Sequence, residues 1–68
     1  MVADKLREFL KKNTMTQTYL AELMGVSKKT IVDKFYRNSF SDEDLIKIAE
    51  VMGYKLAFIK DGEAFILE

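Results

Sequence analysis

Residues 2 to 12 place Val2, Leu6, Phe9 and Leu10 at helical spacing, with Asp4, Lys5, Glu8, Lys11 and Lys12 on the opposite side. This is the pattern of an amphipathic first helix. Asn13, Thr14 and Met15 break it, and Thr16 can cap a second helix over about Gln17 to Met24 by offering its hydroxyl to a free backbone N–H. Gly25 stands where a helix end commonly needs a left-handed residue, Ser27 is a further cap, and a third helix runs from about Lys28 to Tyr36. After a loop at Arg37, Asn38, Ser39 and Phe40, Ser41 caps a fourth segment. Its Asp42, Glu43 and Asp44 suit the positive end of a helix dipole, and Leu45, Ile46, Ile48, Ala49 and Met52 form its apolar stripe.

Gly53 ends that helix, and from Tyr54 the period changes to two. Asp61-Gly62 between Tyr54–Lys60 and Glu63–Glu68 is a strong hairpin signal. A two-residue turn there pairs Lys60 with Glu63, Ile59 with Ala64, Phe58 with Phe65, Ala57 with Ile66, Leu56 with Leu67 and Lys55 with Glu68. Opposite charges then face each other, and aromatic faces aromatic. The register gives two apolar faces, Leu56, Phe58, Phe65 and Leu67 on one and Ala57, Ile59, Ala64 and Ile66 on the other. One face can pack on the helices, and the other needs a different cover. A lone two-stranded ribbon is marginal in water, so Leu56, Ala57, Phe58, Ile59, Phe65, Ile66 and Leu67 are the expected interface of a two-fold homodimer.

The 68 residues predict one mainly α domain, residues 1–53 helical and 54–68 a hairpin. A chain this short buries only about 60% of its unfolded surface, and with no Cys and no His it has neither disulfides nor a conventional zinc site to staple it. The same absences remove an imidazole base and a thiol nucleophile, and no Gly-rich phosphate loop occurs, so an enzyme is not expected. No cofactor is expected either. Asp42-Glu43-Asp44 lacks the glycine and spacing of a calcium loop, and Met15, Met24 and Met52 read as core filler. Phe58 and Phe65 lie in an acidic segment without basic interleaving, which favours dimer or core packing over base stacking. No apolar run is long enough for a membrane span or a secretory signal, and the expected location is cytoplasmic, nucleoid-associated when bound to DNA.

The stretch Gln17-Thr-Tyr-Leu-Ala-Glu-Leu-Met-Gly-Val-Ser-Lys-Lys-Thr-Ile31 must turn one short helix tightly into another. Ala21 is small where the helices cross, Gly25 takes the turn, and Leu20, Val26 and Ile31 fill the wedge. With Leu6–Lys12 before it and Leu45–Gly53 after it, this stretch resembles the Cro and phage-repressor-like (XRE-type) helix-turn-helix family over roughly residues 5 to 53. The resemblance implies a four-helix domain of phage-repressor type, followed here by the hairpin. Members commonly carry an apolar residue where Lys34 stands, so Phe35 must supply that packing, and the loop after the third helix lacks the frequent Gly and Pro.

The resemblance further implies a sequence-specific DNA-binding regulator, a repressor on a pseudo-palindromic operator. It places Ser27, Lys28, Lys29, Val32, Asp33 and Tyr36 at the outward positions of the helix that lies in the major groove, and Gln17 at a backbone-contacting position. Lys28 and Lys29 can donate to guanine or phosphate, Asp33 can accept from a cytosine amino group or pair with a neighbouring Lys, and Val32 can touch a thymine methyl. Thr16, Thr18, Arg37 and Asn38 flank the helix pair as phosphate contacts, although Gln17 and Asn38 also read as ordinary cap or turn residues and Tyr36 as core rim. The alternative is an antitoxin-like or inhibitor module that uses the same scaffold on a protein. A second regulatory protein or a toxin is a possible partner in either case.

Charge changes the picture last. Equal totals of 11 basic and 11 acidic groups give net zero, an argument against nucleic acid when read alone. Residues 1–40, however, carry 8 basic and 4 acidic groups, and residues 41–68 carry 3 and 7. Ser27 to Arg37 holds four basic residues against Asp33, a local +3 on the reading helix. Such a distribution orients the chain on a polyanion.

Overall fold

The computed structural model describes residues 1–68 as four helices and a hairpin: α1 (Val2–Lys12), α2 (Gln17–Met24), α3 (Lys28–Arg37), α4 (Asp42–Met52), β1 (Ala57–Lys60) and β2 (Glu63–Ile66). Helix α3 extends one residue past the expected end. Three helices start where the sequence offers a hydroxyl. Thr16 Oγ1 accepts from the Tyr19 N–H at 3.0 Å, Ser27 Oγ from the Thr30 N–H at 3.1 Å, and Ser41 Oγ from the Asp44 N–H at 3.1 Å. At Ser41 the cap is reciprocal, because its own N–H donates to Asp44 Oδ2 at 2.9 Å, closing a capping box.

Helix α1 has no cap from its own neighbourhood. Its first turn is satisfied from a distance by Asn38 Oδ1, which accepts from the Ala3 N–H at 2.8 Å. Asn38 can do this because it ends α3 in the left-handed conformation, at φ +51°, which asparagine tolerates better than most residues.

The core lies where the four helices meet. Leu20 and Ile31 are wholly buried, with Ala3, Leu10, Ala21, Phe35 and Ile48 around them. Full burial of one such leucine or isoleucine contributes about 1.5–3 kcal/mol. Ala21 is buried as its small size requires, and the three methionines at 15, 24 and 52 pack against this cluster as filler. Phe35 supplies the packing expected of it: its ring stands edge-on to Phe40 at 4.9 Å between centroids, beneath the Arg7 guanidinium at 5.5 Å.

Two expected core positions are corrected. Val2 is exposed, and Ala3 next to it is buried instead, so the stripe of α1 begins at Ala3 and continues through Leu6, Phe9 and Leu10 as expected. Val26 is exposed as well, leaving Leu20 and Ile31 to fill the α2–α3 wedge, because the residue after Gly25 already belongs to the turn and not to either helix face.

The hairpin has the expected register. Lys60 pairs with Glu63, Ile59 with Ala64, Phe58 with Phe65 and Ala57 with Ile66, and the Leu67 N–H donates to the Leu56 carbonyl at 2.8 Å. The outermost pairing of Lys55 with Glu68 does not form as an ion pair; the Glu68 carboxylate accepts from the Leu56 N–H at 3.3 Å. Only the base of the ribbon is tied to the helices. Tyr54 stands edge-on to Phe9 at 4.8 Å and donates its hydroxyl to Asn13 Oδ1 at 3.0 Å, while Leu56 is half-buried against α1 and α4. Beyond that point both faces are open: Phe58 is 71%, Phe65 70% and Ile59 79% exposed. The expectation that one face packs on the helices is therefore corrected: past Leu56 and Ala57 the helices cover neither face of the strands.

Candidate nucleic-acid interface

Helices α2 and α3 are joined by Gly25, Val26 and Ser27 alone. Gly25 is left-handed at φ +71°, and the Val26 N–H returns to the Ala21 carbonyl at 3.0 Å, which satisfies the end of α2. The Ser27 cap then starts α3 at once. Ile31 and Phe35, four residues apart, both point into the core, so the opposite side of α3 is fixed outward.

That outward side carries the residues expected to read bases. Lys28, Lys29, Val32 and Tyr36 are exposed, and Tyr36, at 86%, is not core rim. Asp33 is half-exposed and accepts from the Lys29 ammonium at 2.8 Å. This hydrogen bond holds the Asp33 carboxyl below its ordinary value against the opposing effect of burial, with the charges of Lys29 and Arg37 adding to it. The same hydrogen bond is the main cause that raises Lys29. Ser27 is at the edge of this side, its hydroxyl engaged by the Thr30 N–H and sharing a 2.8 Å hydrogen bond with Thr30 Oγ1.

The flanking residues divide. Thr16, Thr18 and Arg37 are exposed, Thr16 with its oxygen engaged as the α2 cap. Gln17 is half-buried at the start of α2, in a shallow depression with Arg7, Leu10, Lys11 and Met15. Asn38 is exposed, but its carbonyl oxygen is committed to Ala3, which leaves only its NH2 group for a phosphate.

The local +3 is also redistributed. Lys34 does not share the outward face: its ammonium meets Asp44 Oδ2 at 2.8 Å, with the side chains 27% and 18% exposed. Here an ion pair between α3 and α4 replaces the apolar contact common in the family. Burial alone would raise the Asp44 carboxyl, but hydrogen bonds from Lys34 and from Ser41 outweigh it and hold the group below its ordinary value. Among the cations of this window Lys28 and Arg37 form no ion pair.

Sequence reasoning missed Asp44 as the partner of Lys34, and Arg7 as a tie between α1 and α3. Arg7 donates to Asp4 at 2.9 Å and to the Phe35 carbonyl at 3.1 Å. The three-residue spacing of Asp4 and Arg7 was a local signal for the first bond, whereas the others span 10 and 28 residues and leave none.

One feature of α3 works against its own stability. Its first turn holds no acidic residue but carries Lys28 and Lys29 at the positive end of the helix dipole, each cation there unfavourable by about 0.3–1 kcal/mol when exposed. A polyanion at that end reverses the sign. No helix of the chain is long and apolar enough to cross a membrane. Comparison with curated proteins and with solved structures yields no significant match. A family model described as helix-turn-helix matches residues 6–59, which takes in most of α1, all of α2, α3 and α4, and β1 up to Ile59. With the tight α2–α3 joint and the outward lysines on α3, that match shows that the chain belongs to the Cro/C1-type helix-turn-helix (XRE) family of DNA-binding transcription regulators.

Proposed function

We propose that the protein is a sequence-specific repressor that binds a pseudo-palindromic operator as a homodimer, with α3 of each copy in the major groove. The observation that carries this reading is the outward face of α3, where Lys28, Lys29, Val32 and Tyr36 stand exposed opposite the buried Ile31 and Phe35. Lys28, Lys29, Asp33, Val32, Tyr36 and Ser27 address base edges. Thr16, Gln17, Thr18, Arg37 and the Asn38 amide group hold the phosphates on either side.

The homodimer rests on the hairpin. Phe58, Ile59, Phe65, Ile66 and Leu67 together expose more apolar side chain than a solitary ribbon of four-residue strands can keep ordered in water. A second copy brings an identical ribbon with the same register, and a two-fold axis between them sets the reading helices on half-sites about one helical turn, ~34 Å, apart. With net charge zero, non-specific attraction to DNA is weak and affinity depends on the matched operator.

The test is a mobility-shift titration on duplexes enriched from a random pool. The wild type should bind a short palindrome with affinity that falls steeply with salt. Lys28→Ala combined with Lys29→Ala should abolish binding while the far-UV circular dichroism stays unchanged, and undiminished affinity in that variant would refute the assignment of α3 to the groove.

A further inference from the structure

We propose that Lys29 and Asp33 act as one reading element for a single G·C base pair, the ammonium on guanine and the carboxylate on cytosine. This deepens the groove-binding reading above and rests on it. The two residues are one helical turn apart, about 6 Å along the axis, nearly twice the ~3.4 Å step between base pairs. Acting separately they would reach different steps. Their charged ends, however, meet at 2.8 Å on the exposed side of α3, less than one step and close enough to address one base pair together.

The pair therefore presents a donor immediately beside an acceptor. In the major groove a G·C pair presents the matching order: guanine O6 and N7 as acceptors beside the N4 amino donor of cytosine. A T·A pair also sets an acceptor beside a donor, but thymine offers O4 alone next to its methyl group. The ammonium thus finds two acceptors only on guanine.

Charge favours the same conclusion. An unpaired Lys29 would be drawn to any phosphate, whereas the carboxylate of Asp33 repels the backbone and cancels that attraction. Sequence-free contact gains nothing from the pair, and a matched base edge satisfies both of its members. Arg37, which carries no internal ion pair, supplies attraction to phosphate. An exposed pair of this spacing adds little to the stability of the fold, so its members can be changed without unfolding the helix.

The experiment uses the full chain and an operator enriched from random duplexes, with every base pair of one half-site substituted in turn and affinities read by fluorescence anisotropy. The wild type should prefer G·C at one position by roughly tenfold. Lys29→Ala and Asp33→Ala should each remove that preference at that same position, with circular dichroism unchanged. The exchange variant, Lys29→Asp with Asp33→Lys, keeps the ion pair and the net charge but reverses the order of donor and acceptor, and should prefer C·G there. Loss of preference at two different base pairs, or its survival in either alanine variant, overturns the proposal while leaving α3 in the groove. Failure of the wild type to select any duplex overturns both readings and is recognisable as such.

Discussion

Replacing Lys34 by alanine should cost about 1–2 kcal/mol at neutral pH and progressively less as the pH falls below 3.8. The magnitude follows from where the pair stands. Fully exposed ion pairs contribute about 0.2–1 kcal/mol and hydrogen bonds to charged groups about 1.5–3 kcal/mol. The Lys34–Asp44 bond, at 2.8 Å with both side chains mostly covered, falls between these limits. For a domain of this size the loss lowers the melting temperature by about 4–8 °C per kcal/mol.

The pH dependence follows from Asp44, whose carboxyl lies below its ordinary value of 3.8 in the folded chain. A depressed carboxylate adds stability that is complete above the unfolded value and is lost as pH falls through the lower folded one. The difference between wild type and Lys34→Ala should therefore hold constant from pH 7 to about 5 and close below 3.8. Asp44→Ala should cost more than Lys34→Ala at pH 7, by about 1 kcal/mol, because it also opens the capping box with Ser41. Urea melts of the two single variants and the double variant at pH 7 and pH 2 complete the cycle. An equal cost of Lys34→Ala at both pH values would refute the reasoning, since it would mean that the aliphatic stem of Lys34 and not its charge holds α3 to α4.

Three further outcomes follow from the packing. Phe58→Glu should shift the protein to a monomer in sedimentation at micromolar concentration while the helical circular dichroism persists; a wild type that is itself monomeric there would remove the hairpin from the dimer reading. Leu20→Ala should cost about 2–5 kcal/mol, a large part of the roughly 3–10 kcal/mol available to a chain of 68 residues, and calorimetry should find it partly unfolded at 37 °C. Gly25→Ala should cost about 1–2 kcal/mol purely through the backbone, because an added Cβ meets nothing within 4 Å at φ +71°; a urea midpoint equal to wild type would contradict that conformation.

What the sequence revealed and what it concealed divide along a physical line. The caps at Thr16, Ser27 and Ser41, the turn at Gly25 and the hairpin register at Asp61-Gly62 are set by neighbours within a few residues, and all were legible. The side of α3 that faces outward was legible too, since Ile31 and Phe35 fix it by spacing. Lys34 was readable as a departure from the family but not as half of an ion pair, because Asp44 lies on another helix among three acidic residues with the same local rationale. The tie between Asn38 and Ala3 was hidden for a similar reason: the two lie 35 residues apart, and nothing in an alanine announces that its N–H needs an acceptor. The hairpin faces misled because alternation shows that a strand has two apolar sides without showing whether the helices extend far enough to cover either.

The distant cap on α1 has a consequence for how mismatched DNA is handled. The Asn38 side chain holds the Ala3 N–H and the Arg7 side chain holds the Phe35 carbonyl, so α1 grips the C-terminal end of α3 at two points, one on its backbone and one on its capping side chain. Helix α3 cannot rotate, unwind or slide along its axis without giving up both bonds and uncapping α1. If α3 reads an operator half-site as proposed, strain at an imperfect one passes to the duplex, whose pyrimidine–purine steps kink and whose A-tracts resist. Base pairs the protein never touches, those between the half-sites above all, then enter the affinity through their stiffness.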